Sequence, residues 1–195
     1  MNVAIRAQHG AEFARIMSIG VHRPERVVTN AEICTFIDSS DEWIQERSGI
    51  TERRFAAKDE SVVDMASSAA HKAIEAAGIE ATDIGMVLVA TVTHPYQTPS
   101  ASTEVAARIG AVNAAAFDIS AACAGFCFGV SLANDMVRSG SSTYVLVIGV
   151  EKLTDWIDPH DRSTAFLFAD GAGAVVIGPS EVPAIGPTVW GADGG

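Results

Sequence analysis

A chain of 195 residues, 48% hydrophobic and 19% charged, has the composition of a packed globular protein and is long enough to bury a core as one domain. Its 13 Lys plus Arg against 24 Asp plus Glu give a net charge of −11, which argues against nucleic acid and anionic membrane surfaces as partners. No run approaches the ~20 apolar residues needed to span a bilayer, and residues 1–15 carry Arg6, His9, Glu12 and Arg15 without an apolar targeting segment, so the cytoplasm is the expected compartment.

Residues 1–14 lack clear periodicity and read as an N-terminal extension. A strand is expected over about Arg15–Val21. Asn30 is then read as the cap of a short helix through about Phe36, and Ser40 as the cap of a second that carries Trp43 and Arg47 and stops at Gly49. Ser61 with Asp64 three residues on makes a capping-box start, and Val62, Met65, Ala66, Ala69, Ala73 and Ala77 recur at helical spacing up to Gly78. Met86 to Thr93 is a nearly continuous apolar run, the mark of a strand covered on both faces in a parallel sheet. Pro99 is expected to open a helix running to Ile109, with Gly110 as its stop. A strand from Ala114 to Ile119 then turns into a helix from Cys123, on which Phe126, Val130, Ala133 and Val137 form one stripe before Gly140. Thr143 to Val150 is another buried strand, and Ala165–Phe168 and Ala172–Gly178 read as two strands joined by a tight Asp170-Gly171 turn. The class is α/β.

The stretch Asp118-Ile-Ser-Ala-Ala-Cys123-Ala-Gly-Phe126 puts a sulfur where a strand turns into a helix. The helix N-terminus favours thiolate, the reactive form. Ala121, Ala122, Ala124 and Gly125 leave room for a substrate carbonyl, and the N–H groups of the turn suit the oxyanion that attack generates. Acyl transfer through a thioester is the implied chemistry; the plain alternative is an inert core thiol. Cys34 and Cys127 read as buried thiols, and no CxxC or His-rich partner makes the three cysteines a disulfide framework or a metal set. His22, His71, His94 and His160 are scattered, and none qualifies as the base or as a metal ligand. Trp43 and Arg47, four apart on a helix, present an aromatic face and a guanidinium together, which suits the base and phosphates of a nucleotide; the alternative is a partly buried Trp beside a surface Arg. The Gly-rich Ala169–Ala174 opens no helix, so it reads as close backbone packing rather than a phosphate loop.

The Cys123 loop resembles the active-site cysteine loop of β-ketoacyl-acyl-carrier-protein synthase III, a thiolase-like condensing enzyme. The similarity continues in order through Ile16–Gly20, Arg23–Asn30, Ser40–Ile44, Arg47–Ile50, Asp158–Arg162 and Phe168–Ala174. The resemblance implies a thiolase-like fold, with residues 15–195 forming the N-terminal βαβαβαββ half of an αβαβα sandwich. In the family a second half supplies a His and an Asn that complete the catalytic triad, and this chain ends at Gly195 before them. The implied activity is acyl transfer from acyl-coenzyme A to Cys123, then condensation with malonyl-acyl-carrier protein and loss of CO₂, initiating fatty-acid or polyketide synthesis. No cofactor or metal is implied, coenzyme A entering as substrate.

By the same resemblance Trp43, Arg47 and Arg162 contact coenzyme A, with Ser39 standing where the family usually has Thr. Thr98 lines the acyl channel of the opposite subunit, Phe168 also belongs to the channel, and a homodimer pairs through the Thr143–Val150 strand. The Phe126–Val137 stripe is expected to face the missing half. Two departures stand out: Ser163-Thr164 replaces a common Gly, and the acidic chain lacks an evident basic patch for an acidic carrier protein. The alternative readings are a catalytically incomplete half that acts as an assembly partner, and a thiolase-like acyltransferase without condensation.

Overall fold

Ala14 is buried, so the first strand, β1, runs Phe13–His22 and starts two residues before the expected Arg15. The computed structural model describes residues 9–193, and residues 1–8 of the expected extension lie outside them. A hairpin follows, β2 (Arg26–Thr29) pairing antiparallel with β3 (Glu52–Phe55), and its connection holds α1 (Asn30–Ile33) and α2 (Asp41–Ser48). Asn30 is not the cap of α1. Thr29 is, its Oγ1 accepting from the Glu32 N–H at 3.3 Å, and the helix stops at Ile33 rather than Phe36. Asn30 is buried, and its amide both donates, to Asp41 Oδ1 (2.6 Å) and the Ile50 carbonyl (2.7 Å), and accepts from Arg53. An amide can serve both roles at once, which a hydroxyl cap does less fully. As expected, Ser40 caps α2 and Gly49 closes it with φ 71°.

The rest of the chain is α3 (Val62–Ala77), β4 (Ile84–Ala90), α4 (Ala101–Ile109), β5 (Ala115–Ile119), α5 (Gly125–Ser139), β6 (Tyr144–Lys152) and β7 (Asp170–Ser180). Omitting the β2–β3 unit, the order is βαβαβαββ. α3 has the Ser61–Asp64 capping box and ends at Gly78, while α4 opens at Ala101 behind Ser100 rather than at Pro99. β4 ends at Ala90, short of the expected Thr93, because the next residues turn to the Glu151 carboxylate, which accepts from Val92 N–H at 3.0 Å and Thr93 Oγ1 at 2.5 Å. Residues 165–168 form turns, not a strand. Asp170-Gly171 is likewise not a hairpin turn but the start of β7, paired with Lys152 and Glu151 of β6. The Asp170 carboxylate fixes that start by accepting from Ala56 N–H (2.7 Å), Thr154 N–H (3.0 Å) and Thr154 Oγ1 (2.6 Å).

The main sheet runs β1-β7-β6-β4-β5, with β4 parallel to β5 and β6 and β7 antiparallel to β6 and β1. β6 is thus interior, and cannot be the strand through which a second copy extends the sheet; the outer strands are β1 and β5. On one face α3 and α4 bury Met65, Ala69, Ala73, Val105 and Ile109 against Val87, Val89, Leu146 and Ile148. On the other, Ala133 and Val137 of α5, with Phe126 and Val130 beside them, pack on Leu88, Val145, Val147 and Val175. The α5 stripe therefore faces its own sheet rather than outward. Apolar surface is left bare instead on β1, where Ile16, Ile19 and Val21 are exposed.

β1 and α3 meet at Gly20, where a Cβ would stand 2.1 Å from the Ala69 carbonyl oxygen and 2.4 Å from the Ala73 nitrogen. Backbone cannot yield as a side-chain tip can. Gly20→Ala is therefore expected to cost about 3 kcal/mol, read as a lower urea midpoint. Gly173→Ala, whose Cβ would meet nothing within 4 Å, should leave the midpoint close to that of the parent chain.

Candidate active site

β5 ends at Ile119 and α5 begins only at Gly125. Between them Ala122–Ala124 form a single 3-10 turn, so Cys123 sits in that turn and not at the first residue of the α-helix as expected. Ala122 is held at φ 44°, a left-handed conformation that costs an L-residue about 1–2 kcal/mol, and Cys123 next to it is exposed. Packing on both sides enforces the kink. Behind it, Asp118 accepts from the Ala101 and Ser102 N–H groups, each at 2.8 Å, tying β5 to the start of α4. Ahead of it, α5 lies so close to the sheet that a Cβ at Gly125 would be 3.0 Å from Ala90 Cβ, and one at Gly129 would be 2.8 Å from Val147 Cγ1.

A cavity of about 460 Å³ opens beside the Cys123 side chain. Gly149 of β6 and Gly173 of β7, paired across the ladder, both line it; a Cβ at Gly173 would meet nothing within 4 Å, whereas one at Gly149 would meet Phe126 at 3.5 Å. The Gly-rich Ala169–Ala174 segment, expected to mark close backbone packing, thus leaves open space at Gly173. Phe126, Val92, Leu153 and Phe168 make the walls apolar, and Glu151 is the charged residue among them, its carboxylate turned to the 91–93 segment. Phe168, assigned to the acyl channel by resemblance, lines this cavity. Thr98 lies exposed on the loop between β4 and α4 and does not line the cavity of its own chain. No His lines it either: His22 bridges Ser68 and Glu60 at 2.9 and 2.7 Å, and His160 bonds the Phe36 carbonyl. Glu151, Gly149 and Val92 escaped the sequence reading, although the Gly149-Val-Glu151 run at the end of a buried strand was the available signal. An exposed thiol behind a helix N-terminus and beside an apolar cavity is suited to carrying an acyl group as a thioester.

Trp43, on α2, has the Arg47 and Arg162 guanidinium carbons each 4.6 Å from its ring centroid, and its edge meets Phe166 at 5.3 Å. Arg162 reaches it from a distant loop, anchored by donating Nε–H to the Asp38 carbonyl at 2.6 Å. Ser39, the next residue, has its Oγ buried with no hydrogen-bond partner. The structure thus brings Ser39, Trp43, Arg47 and Arg162 into one neighbourhood. The Ser163-Thr164 pair gives the loop its shape: the Ser163 hydroxyl (2.7 Å), the Ser163 N–H (2.8 Å) and the Thr164 hydroxyl (2.7 Å) all donate to Asp161 and hold its carboxyl below the usual carboxylate range. The segment then runs through Phe166, against Trp43, to Phe168 in the Cys123 cavity.

Cys34 is half-buried in the cluster behind Trp43, whereas Cys127 is exposed, contrary to expectation, because its flank of α5 is not covered by the sheet. Among the described residues no group of three His, Cys, Asp or Glu is placed to hold a metal ion, and no helix is long and apolar enough to cross a membrane.

The family model for 3-oxoacyl-[acyl-carrier-protein (ACP)] synthase III matches residues 117–194, which contain Cys123 and the Gly149 and Gly173 strands. The chain is 58% identical over 180 residues to the β-ketoacyl-[acyl-carrier-protein] synthase III of Kocuria rhizophila, covering 92% of this chain and 51% of that protein. It is also 58% identical over 190 residues to synthase III 1 of Streptomyces coelicolor, covering 97% and 55%. Among solved structures, the priming β-ketosynthase of a polyketide biosynthetic pathway superposes with a TM-score of 0.94 at 49% identity, over 98% of this chain and 57% of that one. The 3-oxoacyl-[acyl-carrier-protein] synthase III of Aquifex aeolicus gives 0.84 at 43%, over 87% and 55%. The chain spans about half the length of the curated relatives it matches.

A group with a lowered folded-state pKa stabilises above its unfolded pKa, and that contribution is lost as pH falls through the lowered value. The carboxyl carbon of Asp161, followed by NMR, should titrate with a midpoint below 3.8, and the Arg162 turn should hold until that pH is reached. In Ser163→Ala, which removes the first of the three donors, the midpoint should rise toward 3.8.

Proposed function

Because the chain belongs to the 3-oxoacyl-[acyl-carrier-protein] synthase III family, we propose that residues 15–195 are the N-terminal, nucleophile-bearing half of a thiolase-like condensing enzyme. The Cys123 thiolate attacks the thioester carbonyl of an acyl-coenzyme A, the tetrahedral oxyanion collapses, and coenzyme A leaves as its thiolate, so the acyl group remains on Cys123. The whole protein then condenses that group with malonyl-acyl-carrier protein, releasing CO₂, at the start of fatty-acid or polyketide synthesis. The observation that carries this reading is the exposed Cys123 thiol, held in a strained turn beside an apolar cavity.

In this reading the Trp43 face, with Arg47, Arg162 and the free Ser39 hydroxyl, receives the nucleotide end of coenzyme A, since an aromatic face between two guanidinium groups suits a base and its phosphates. The acyl chain lies along Phe168, Val92 and Gly173. Thr98, out of reach of its own cavity, serves the acyl channel of a second copy. That copy is proposed to pair along β5, whose outer side has no strand partner among the described residues and where Phe117 is exposed. No metal or organic cofactor has a part in these steps. Three free thiols and the acidic surface fit a cytoplasmic protein. The presence of Cys123, Trp43, Arg47 and Arg162 together favours an enzyme over a silent assembly partner.

Two outcomes follow for the chain as it stands. Incubation with a short acyl-coenzyme A should add the acyl mass to the intact protein, and Cys123→Ser should abolish that shift while Cys127→Ser preserves it; labelling that survives loss of Cys123 defeats the assignment. Decarboxylation needs donors aimed at the developing enolate, and losing one such donor typically costs about 10²–10³ in rate. The family's His and Asn lie outside these 195 residues, so a radiolabelled malonyl assay on them alone is expected to yield no β-ketoacyl product.

A further inference from the structure

A second cavity, of about 240 Å³, lies between the β2–β3 hairpin, α1 and the 154–165 segment, and shares no lining residue with the Cys123 cavity. Its interior is apolar, walled by Ile33, Phe55, Ile157 and Ala165. Two charges also line it. The Arg26 guanidinium lies 5.5 Å from the Phe55 ring centroid and pairs with the Glu32 carboxylate. The two side chains are 55% and 35% exposed, so this is a solvent-screened pair, weak enough to exchange for other partners. Phe36 stands at the rim, 43% exposed, and His160 leans on it edge-to-face at 6.1 Å.

A guanidinium and a carboxylate side by side at an apolar pocket match one ligand chemistry. A fatty carboxylate would pair with Arg26 but oppose Glu32, and an apolar amine would do the reverse. A zwitterion that carries carboxylate and ammonium on one carbon satisfies both, with the carboxylate in the fork of the guanidinium. The volume exceeds the roughly 150 Å³ that holds one benzene ring and falls below the roughly 300 Å³ of sites for larger ligands. That room fits an aliphatic or single-ring side chain.

The geometry points to a binding site for an apolar α-amino acid, of leucine or phenylalanine size, with its carboxylate on Arg26, its ammonium on Glu32 and its side chain among Ile33, Phe55, Ile157 and Ala165. Pro159 and Ala165, on either side of Arg162, both wall the pocket, so an occupant braces the segment that lays Arg162 on Trp43. That consequence rests on the coenzyme A reading of Trp43, while the binding itself does not.

Equilibrium dialysis of the 195-residue chain against radiolabelled L-leucine and L-phenylalanine decides it, with 4-methylpentanoate and isopentylamine as competitors. Saturable binding at one site per chain is expected, displaced by neither competitor at equal concentration. Arg26→Gln and Glu32→Gln should each weaken it about tenfold, the worth of one charged hydrogen bond, and Ala165→Phe should abolish it. Cys123→Ser should leave it unchanged, which separates this site from the acyl-transfer reading. Absence of saturable binding, equal displacement by either competitor, or indifference to both exposed mouth substitutions overturns the proposal. The mouth variants decide even if Ala165→Phe fails to fold.

Discussion

The placement of α5 against the sheet is the constraint on which the site depends. Gly125 and Gly129 let the helix settle directly on Ala90 and Val147, where a Cβ would crowd Ala90 Cβ at 3.0 Å and Val147 Cγ1 at 2.8 Å. Because the helix is seated, the connection from β5 has only residues 120–124 in which to turn, and the left-handed Ala122 absorbs the difference. Cys123 is exposed as a consequence of that geometry. A strained residue persists only where its surroundings over-determine it, and here the carboxylate of Asp118 on one side and the two glycines on the other do so.

Carboxylates recur as fasteners at the ends of strands. Asp118 of β5 holds the start of α4, Glu151 of β6 holds the segment after β4, and Asp170 of β7 holds both Ala56, after β3, and Thr154. Each accepts from main-chain N–H groups rather than from Lys or Arg. This is one reason a chain with so few basic residues remains a consistent fold: these buried or half-buried carboxylates find their donors in the backbone, where charge-assisted bonds are short and strong. Glu151 and Asp170 also hold segments that wall the Cys123 cavity, through Val92 and Leu153.

Residues 162–168 join the two halves of the site. Arg162 lies on Trp43, Phe166 meets the same ring edge-to-face, and Phe168 lines the cavity beside Cys123. In the strand expected over Ala165–Phe168, Phe166 and Phe168 would have shared one face, whereas here Phe166 meets Trp43 and Phe168 lines the cavity beside Cys123. The turns are what allow a single short stretch to reach both Trp43 and the cavity beside Cys123.

Local rules were enough for the punctuation of the chain. Ser40 and Ser61 cap helices, and Gly49, Gly78, Gly110 and Gly140 close them with positive φ, because caps and left-handed closures depend on a few adjacent residues. The same holds for the alternation of helix and strand from α3 to β6, and for the motif that singles out Cys123, but not for the β2–β3 hairpin, which the sequence reading missed, nor for Ala165–Phe168, read as a strand and found as turns. What the sequence could not disclose depends on contacts between distant residues. Asn30 looks like a cap until Arg53 and Asp41 close around it, and Thr29 takes the role instead. β6 and β5 are both apolar, but only the sheet order shows which one is enclosed. Phe126, Val130, Ala133 and Val137 define a stripe by periodicity, yet periodicity does not say which neighbour the stripe meets, and the sheet of the same chain claimed it. Gly173 reads identically whether it allows close packing or leaves a void, and only the packing around it decides: a Cβ there would meet nothing within 4 Å.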